Sequence, residues 1–272
     1  MQITVNADDF GISREVNKAI CEAFEKGLIN RTTLMVNMPF ANEAMQLAKE
    51  QGFSDKVGLH LNLTAGFPLS EELSKDPVMC NKQGEFSADF ARSLKTRFFL
   101  PKKTDRLIEK EIRLQLDKYK ELGGCLWHMD SHHHVHTDPS IWRIIRRILK
   151  SSDNPYPVSS IRLSRNMYKG GSFPANAYKS LYNNSVRKLA DSGCNYFGSA
   201  KDFENFFENQ AGSNSSGSAD NINNNCTNNM NNGKQRLCIE IMVHPMYSDT
   251  GELIDTDMPL KSYLDFADTI PT

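Results

Sequence analysis

The chain opens Gln2-Ile3-Thr4-Val5-Asn6-Ala7-Asp8-Asp9. Side chains alternate across a strand, so Ile3, Val5 and Ala7 share one face and Thr4, Asn6 and Asp8 the other. The first face suits packing against helices, and the second ends in carboxylates. The same split recurs downstream. Val57, Leu59 and Leu61 oppose Gly58, His60 and Asn62; Cys125, Trp127 and Met129 oppose Leu126, His128, Asp130 and His132. Ile161 and Leu163 oppose Arg162, and Ile239, Ile241 and Val243 oppose Glu240, Met242 and His244. In each run the second face grows polar towards the C-terminal end.

Strand-like runs near 2–8, 32–38, 56–62, 125–131, 159–163 and 237–243 alternate with helical spacing over 13–26, 41–51, 104–122, 139–150 and 175–192. Ser13 and Thr104 are candidate N-caps, and Gly27, Gly123 and Gly193 follow last turns. Such alternation predicts an α/β fold with parallel strands and crossover helices, a barrel or a doubly wound sheet. In a (βα) TIM-like barrel the polar faces point inward and the C-terminal rim carries the chemistry. The register then brings Asp8, Asp9, His60, Asp130, His132, Arg162 and His244 to one rim, with His128 lower in the same interior. Residues 64–100 read as a long excursion over that rim.

The 272 residues, 39% hydrophobic and 24% charged with net charge −1, predict one globular domain spanning 1–272. Balanced charge gives no footprint for nucleic acid or an anionic membrane, and no apolar run is long enough to span a bilayer. Six scattered cysteines without a CxxC pair read as reduced thiols, and without a leader-like start the expected location is cytoplasmic. Ten of the 24 residues from 209 to 232 are Asn, so 209–233 is expected to be a disordered Asn/Ser-rich insertion. Arg143, Arg146, Arg147 and Lys150 read as the solvated face of an amphipathic helix.

Five of the seven histidines fall between His128 and His136. A carboxylate with two imidazoles makes a three-ligand set for a divalent metal and leaves positions for water and substrate. A neighbouring carboxylate can act as base, and a histidine across the site as acid. Asp130, two residues before His132, can orient a ligating imidazole through a hydrogen bond to its second ring nitrogen. Arg162, Asn37 and Tyr247 are candidate substrate contacts, and Phe10 and Phe67 read equally as stacking platforms or core. Hydrolase signatures built on a serine elbow, a Walker loop or HExxH do not occur.

Asn6-Ala7-Asp8-Asp9-Phe10-Gly11, the run 32–37, Gly58-Leu59-His60-Leu61-Asn62-Leu63-Thr64, the tract 128–136 and Val243-His244-Pro245 closely resemble the YdjC/ChbG-like carbohydrate deacetylases. The motifs occur in the family's order over residues 1–250, apart from the Asn-rich insertion. The resemblance implies a barrel related to the polysaccharide deacetylases, distorted or incompletely closed because little chain follows His244-Pro245. It implies removal of acetyl groups from N-acetylated amino sugars or short chitooligosaccharides, and a homodimer. By position, Asp9, His60 and His132 correspond to metal ligands, Asp8 to the base and His244 to the acid, with the roles of Asp8 and Asp9 interchangeable at this point. The family implies one Mg2+, whereas two imidazoles suit Zn2+ or another transition metal. The rival readings are a metal-dependent phosphoesterase or glycosidase on the same rim, and a sugar- or metal-binding homologue without turnover.

Overall fold

The computed structural model describes residues 2–165, 172–190, 194–211, 238–256 and 258–264. The alternating opening run forms β1 (Gln2–Phe10), and the capping signal at Ser13 starts α1 (Arg14–Glu25), with the Ser13 hydroxyl accepting from the Val16 N–H. There follow β2 (Arg31–Leu34), α2 (Ala41–Glu50), β3 (Val57–Leu61), the short helices α3 (Glu71–Ser74), α4 (Asp89–Arg92) and α5 (Leu94–Phe98), and α6 (Lys102–Glu121). Next come β4 (His128–Ser131), α7 (Pro139–Leu149), β5 (Ser160–Ile161), α8 (Phe173–Arg187), β6 (Asn195–Phe197) and α9 (Ala200–Ala211). The described chain closes with β7 (Cys238–Val243), β8 (Pro245–Tyr247), β9 (Leu253–Asp255) and β10 (Met258–Pro259).

Seven strands form one sheet in the order β5-β4-β3-β2-β1-β7-β6, and all six pairings are parallel. The sheet curls into a half-barrel flanked by helices, and β5 and β6 stand at its two edges without pairing. Outward-facing Ile3, Val5, Ala7, Val57, Leu59, Leu61, Met129, Ile239 and Ile241 are buried. Covering each such aliphatic side chain is worth roughly 1.5–3 kcal/mol. The anticipated α/β barrel, incompletely closed, is the fold observed.

Local departures have local causes. β4 starts at His128 because the preceding segment is held by the Tyr119 hydroxyl, which lies 2.6 Å from the Leu126 carbonyl and 2.8 Å from that of Val57. Thr104 does not cap α6; the helix starts at Lys102 after Pro101, and the Thr104 hydroxyl donates to Asp76 instead. β6 and the β8–β9–β10 antiparallel ribbon are too short for their periodicity to be read. Excursion 64–100 carries three short helices. Arg143 and Arg147 extend from the exposed side of α7 to Asp105, with Arg147 also pairing Glu109 of α6.

The expectation of reduced thiols fails for one pair. β6 and β7 are neighbours with Asn195 opposite Ile239, which sets Cys194 against Cys238, 4.6 Å apart at Cα and disulfide-bonded. A sequence separation of 44 concealed that approach. Cys21, Cys80 and Cys125 are free, whereas Cys226 and Gly193 lie outside the described residues. Of the Asn-rich segment, 209–211 continue α9 and 212–233 lie outside the described residues. No described helix is long and apolar enough to cross a membrane.

Candidate metal and catalytic site

Strict alternation would send Asp9 outward with Ala7. Instead the β1–β2 register shifts between Ala7 and Phe10, and Asp9 takes φ 68°. One residue of slip exchanges the two faces. Asp8 therefore still points inward, Phe10 enters the outer core against Phe53, and Asp9 turns over the rim. Aspartate is among the few side chains that enter the left-handed region readily, at a cost of order 1–3 kcal/mol. Phe10 is thus core and not a stacking platform, since it has no exposed surface.

At the rim Asp9 Oδ1 lies 3.2 Å from His60 Nε2 and 2.8 Å from His132 Nδ1. The other ring nitrogen of His60 faces Asp130 Oδ1 at 2.7 Å, and the Thr33 hydroxyl donates to Asp130 Oδ2 at 3.0 Å. The candidate ligand atoms of Asp9, His60 and His132 lie within 4.8 Å of one another. This donor set fits a divalent cation: one carboxylate and two imidazoles, with His60 already fixed from behind so that Nε2 is the atom presented. Burial opposes ionisation of Asp9, but hydrogen bonds and charge from His132 and His60 hold its carboxyl far below the usual range. Burial likewise opposes the His60 cation, yet Asp130 and Asp8 push it up to about 10.

Arg162 corrects a sequence reading. It was a candidate substrate contact, but it is almost wholly buried, and its guanidinium is turned to the interior carboxylates. Nη1 and Nη2 hold the two oxygens of Asp8 at 2.7 Å each, Nη2 meets Asp130 Oδ2 at 2.7 Å, and Nε donates to Glu240 Oε1 at 2.7 Å. The planar fork suits this bidentate task, and four of its five N–H donors are directed at interior carboxylates. Its face lies 5.1 Å from the centroid of the Tyr196 ring on β6. Arg31 takes the remaining Glu240 oxygen at 2.8 Å, and burial of Glu240 is outweighed by these two cations, lowering it to about 2.

Asn37 also has another task. Its amide donates to the Phe67 carbonyl and its oxygen accepts from Asn62, so it stitches the loop after β3. Tyr247 lies along α1, with its hydroxyl donating to Glu22 Oε2 at 2.7 Å, away from the carboxylate–histidine cluster. His244 follows β7, and the pairing of Ala7 with Val243 sets it beside Asp8; its backbone N–H donates to Asp255 at 2.8 Å. Thr33, Arg31, Glu240, Tyr196 and Asp255 were not singled out as site residues. Parity places Thr33 and Glu240 inward, but nothing in the sequence states which inward groups will meet.

His128 lies one layer lower, as the register required, with Nδ1 2.6 Å from the Ser160 hydroxyl. Burial and the Arg31 charge depress it to about 3, and burial with neighbouring His134 takes His136 to about 3 as well. Both stay neutral in the fold, whereas the unfolded chain binds their protons below the ordinary value of 6.5. Their stabilisation is therefore complete above pH 6.5 and is lost as pH falls towards 3. We expect urea unfolding between these values to show uptake of up to about two protons from this pair. His60 of the metal-free chain acts oppositely, its share being lost as pH rises from 6.5 towards 10. A midpoint that does not move between pH 6.5 and 4 would contradict neutral burial of His128 and His136.

Comparison with known proteins places this geometry. The family model described as YdjC-like protein matches residues 2–266. The chain belongs to the YdjC-like family. Among curated YdjC-like relatives, a carbohydrate deacetylase of Halalkalibacterium halodurans is 35% identical over 180 residues, 63% of this chain and 72% of that protein. Carbohydrate deacetylases of Brevibacillus brevis and Vibrio cholerae O395 are 38% identical over 159 and 155 residues, 58% and 57% of this chain. Those matches cover 60% and 58% of the two relatives. In fold, the chain matches the crystal structure of a proposed cellobiose-phosphate cleavage protein from Enterococcus faecalis V583. The TM-score is 0.61 at 20% identity, covering 92% of this chain and 82% of that one.

Proposed function

We propose that this YdjC-like protein is a metal-dependent hydrolase that removes the acetyl group from an N-acetylated amino sugar or short chitooligosaccharide. The convergence of Asp9, His60 and His132 carries the reading, supported by relatives named carbohydrate deacetylase. A divalent ion held there would activate water and polarise the acetamide carbonyl. Asp8, with both oxygens gripped by Arg162, is held in place to take the proton from the attacking water. To His244, which follows the strand paired with β1, we assign protonation of the departing sugar nitrogen. Asp130 fixes the ring of His60, and Thr33 fixes Asp130.

Glycosidase chemistry has less support. It needs two carboxylates about 5–10 Å apart across a glycosidic bond. Asp130 and Glu240, the other carboxylates of the inner face, are both buried against Arg162. The test is incubation of purified protein with diacetylchitobiose, with and without chelator, measuring acetate and reducing ends. We expect acetate without new reducing ends, suppressed by chelator and restored by added divalent metal. New reducing ends, or acetate release indifferent to chelation, would overturn the proposal.

A further inference from the structure

The loop after β3 is held along its length. Asn62 Oδ1 accepts from the N–H groups of Thr64 and Ala65 at 3.0 Å each, and the Asn62 amide donates to the Ala65 carbonyl at 2.7 Å. Gly66 follows with φ 64°, where an added Cβ would stand 3.0 Å from the Met38 sulfur. Its carbonyl accepts from the Phe86 N–H at 2.8 Å, and the Phe67 carbonyl accepts from the Asn37 amide at 2.9 Å. Beyond Phe67, the buried Glu111 carboxylate of α6 accepts from the N–H groups of Leu69 and Ser70 at 3.0 and 2.8 Å. Yet this frame turns its largest side chain to solvent: Phe67 is 54% exposed.

Single exposed apolar side chains are ordinary on a protein surface. Phe67 is set apart by the fixed backbone beneath it and by its place. β2 lies between β1 and β3 in the parallel sheet, β1 carries Asp9 and β3 carries His60. Asn37 and Phe67 belong to the loops that leave β2 and β3 at that same end, so Phe67 stands on the rim that holds the candidate metal ligands. A platform already fixed gives up little further freedom when a ligand arrives. A pyranose offers an apolar face of C–H groups that can cover an aromatic ring. We propose that Phe67 is the stacking platform for a sugar ring of the substrate, the ring next to the one whose acetamide lies at the Asp9–His60–His132 cluster. The neighbouring ring is assigned because Phe67 follows the turn that Asn62 holds, and Asn62 is itself two residues past His60. This contact rests on the deacetylase reading and gives the rim a preference for an oligosaccharide over a single sugar.

Because its ring is exposed, Phe67 can be replaced without opening a cavity in the core. With diacetylchitobiose, Phe67→Ala is expected to raise KM roughly tenfold or more at unchanged metal content, with the loss in KM rather than kcat, since truncation removes the surface that the neighbouring ring covers. Phe67→Trp is expected to stay within about threefold of the parent's KM, whereas Phe67→Leu, lacking a flat face, recovers only part of the loss. The Phe67→Ala loss in kcat/KM should be smaller on N-acetylglucosamine than on the disaccharide. Equal losses on the two sugars overturn the assignment to the neighbouring ring, and an unchanged KM overturns the platform itself. The ring current of Phe67 gives a readout independent of turnover. At saturating disaccharide, sugar C–H protons should move upfield with the parent protein and not with Phe67→Ala. Protons that the parent leaves unshifted refute the platform even where acetate is released. Shifted protons without acetate would instead refute the deacetylase reading and leave the platform standing.

Discussion

His60→Ala and His132→Ala should each purify with less than a tenth of the parent's metal and lose turnover by roughly 10³-fold or more. Metal catalysis supplies several kcal/mol of transition-state stabilisation, and each 1.36 kcal/mol is tenfold in rate. His244→Ala should lose turnover on a similar scale while keeping its metal, since its ring is assigned to the leaving nitrogen and it is not among the clustered ligand atoms. Elemental analysis of the dialysed proteins beside an acetate assay reads both quantities. Equal metal loss in all three variants would sink the division of roles. Asp130→Asn provides a graded case: it keeps the volume but weakens the 2.7 Å contact behind His60, and removal of such a support typically costs 10–100-fold in metal affinity or activity.

Much of this arrangement was legible because the strand period is two. Parity alone put Asp8, His60, Asp130 and Glu240 on the inner face, and the structure keeps all four buried there. Asp9 shows where parity stops. Its place beside His60 and His132 depends on one left-handed residue and a register shift, which no alternation pattern encodes. The histidine-rich tract likewise divides by backbone geometry: His132 meets Asp9, His133 faces solvent, and His136 turns inward to Ser131. The Cys194–Cys238 bond escaped because it needs the β6–β7 pairing, and β6 spans only three residues. Arg162 was read from its strand as a rim cation. Its true neighbours come from β1, β4 and β7, distances along the chain that local patterning cannot register.

Those neighbours make Arg162 the residue whose loss should most damage the fold. No backbone ladder joins β5 to β6, so the seam of the half-barrel is spanned by side chains. Arg162 leaves β5 and grips Asp8, Asp130 and Glu240, its face covers Tyr196, and its own carbonyl accepts from Tyr182 at 3.2 Å. Arg162→Met keeps the apolar stem and leaves three buried carboxylates to Arg31 and the His60 ring. Breaking a buried ion pair from one side costs about 3–5 kcal/mol. We expect the urea midpoint to fall accordingly, with the loss largest at neutral pH and smaller in acid, where the abandoned carboxylates can protonate. Arg162→Lys should recover only part of the loss, because one ammonium cannot reproduce the fork that spans both oxygens of Asp8. Asp8→Asn added to Arg162→Met should regain stability by removing the carboxylate whose salt-bridge partner was Arg162. A midpoint for Arg162→Met equal to the parent's, or no recovery from the second substitution, would show that water rather than the guanidinium neutralises the interior.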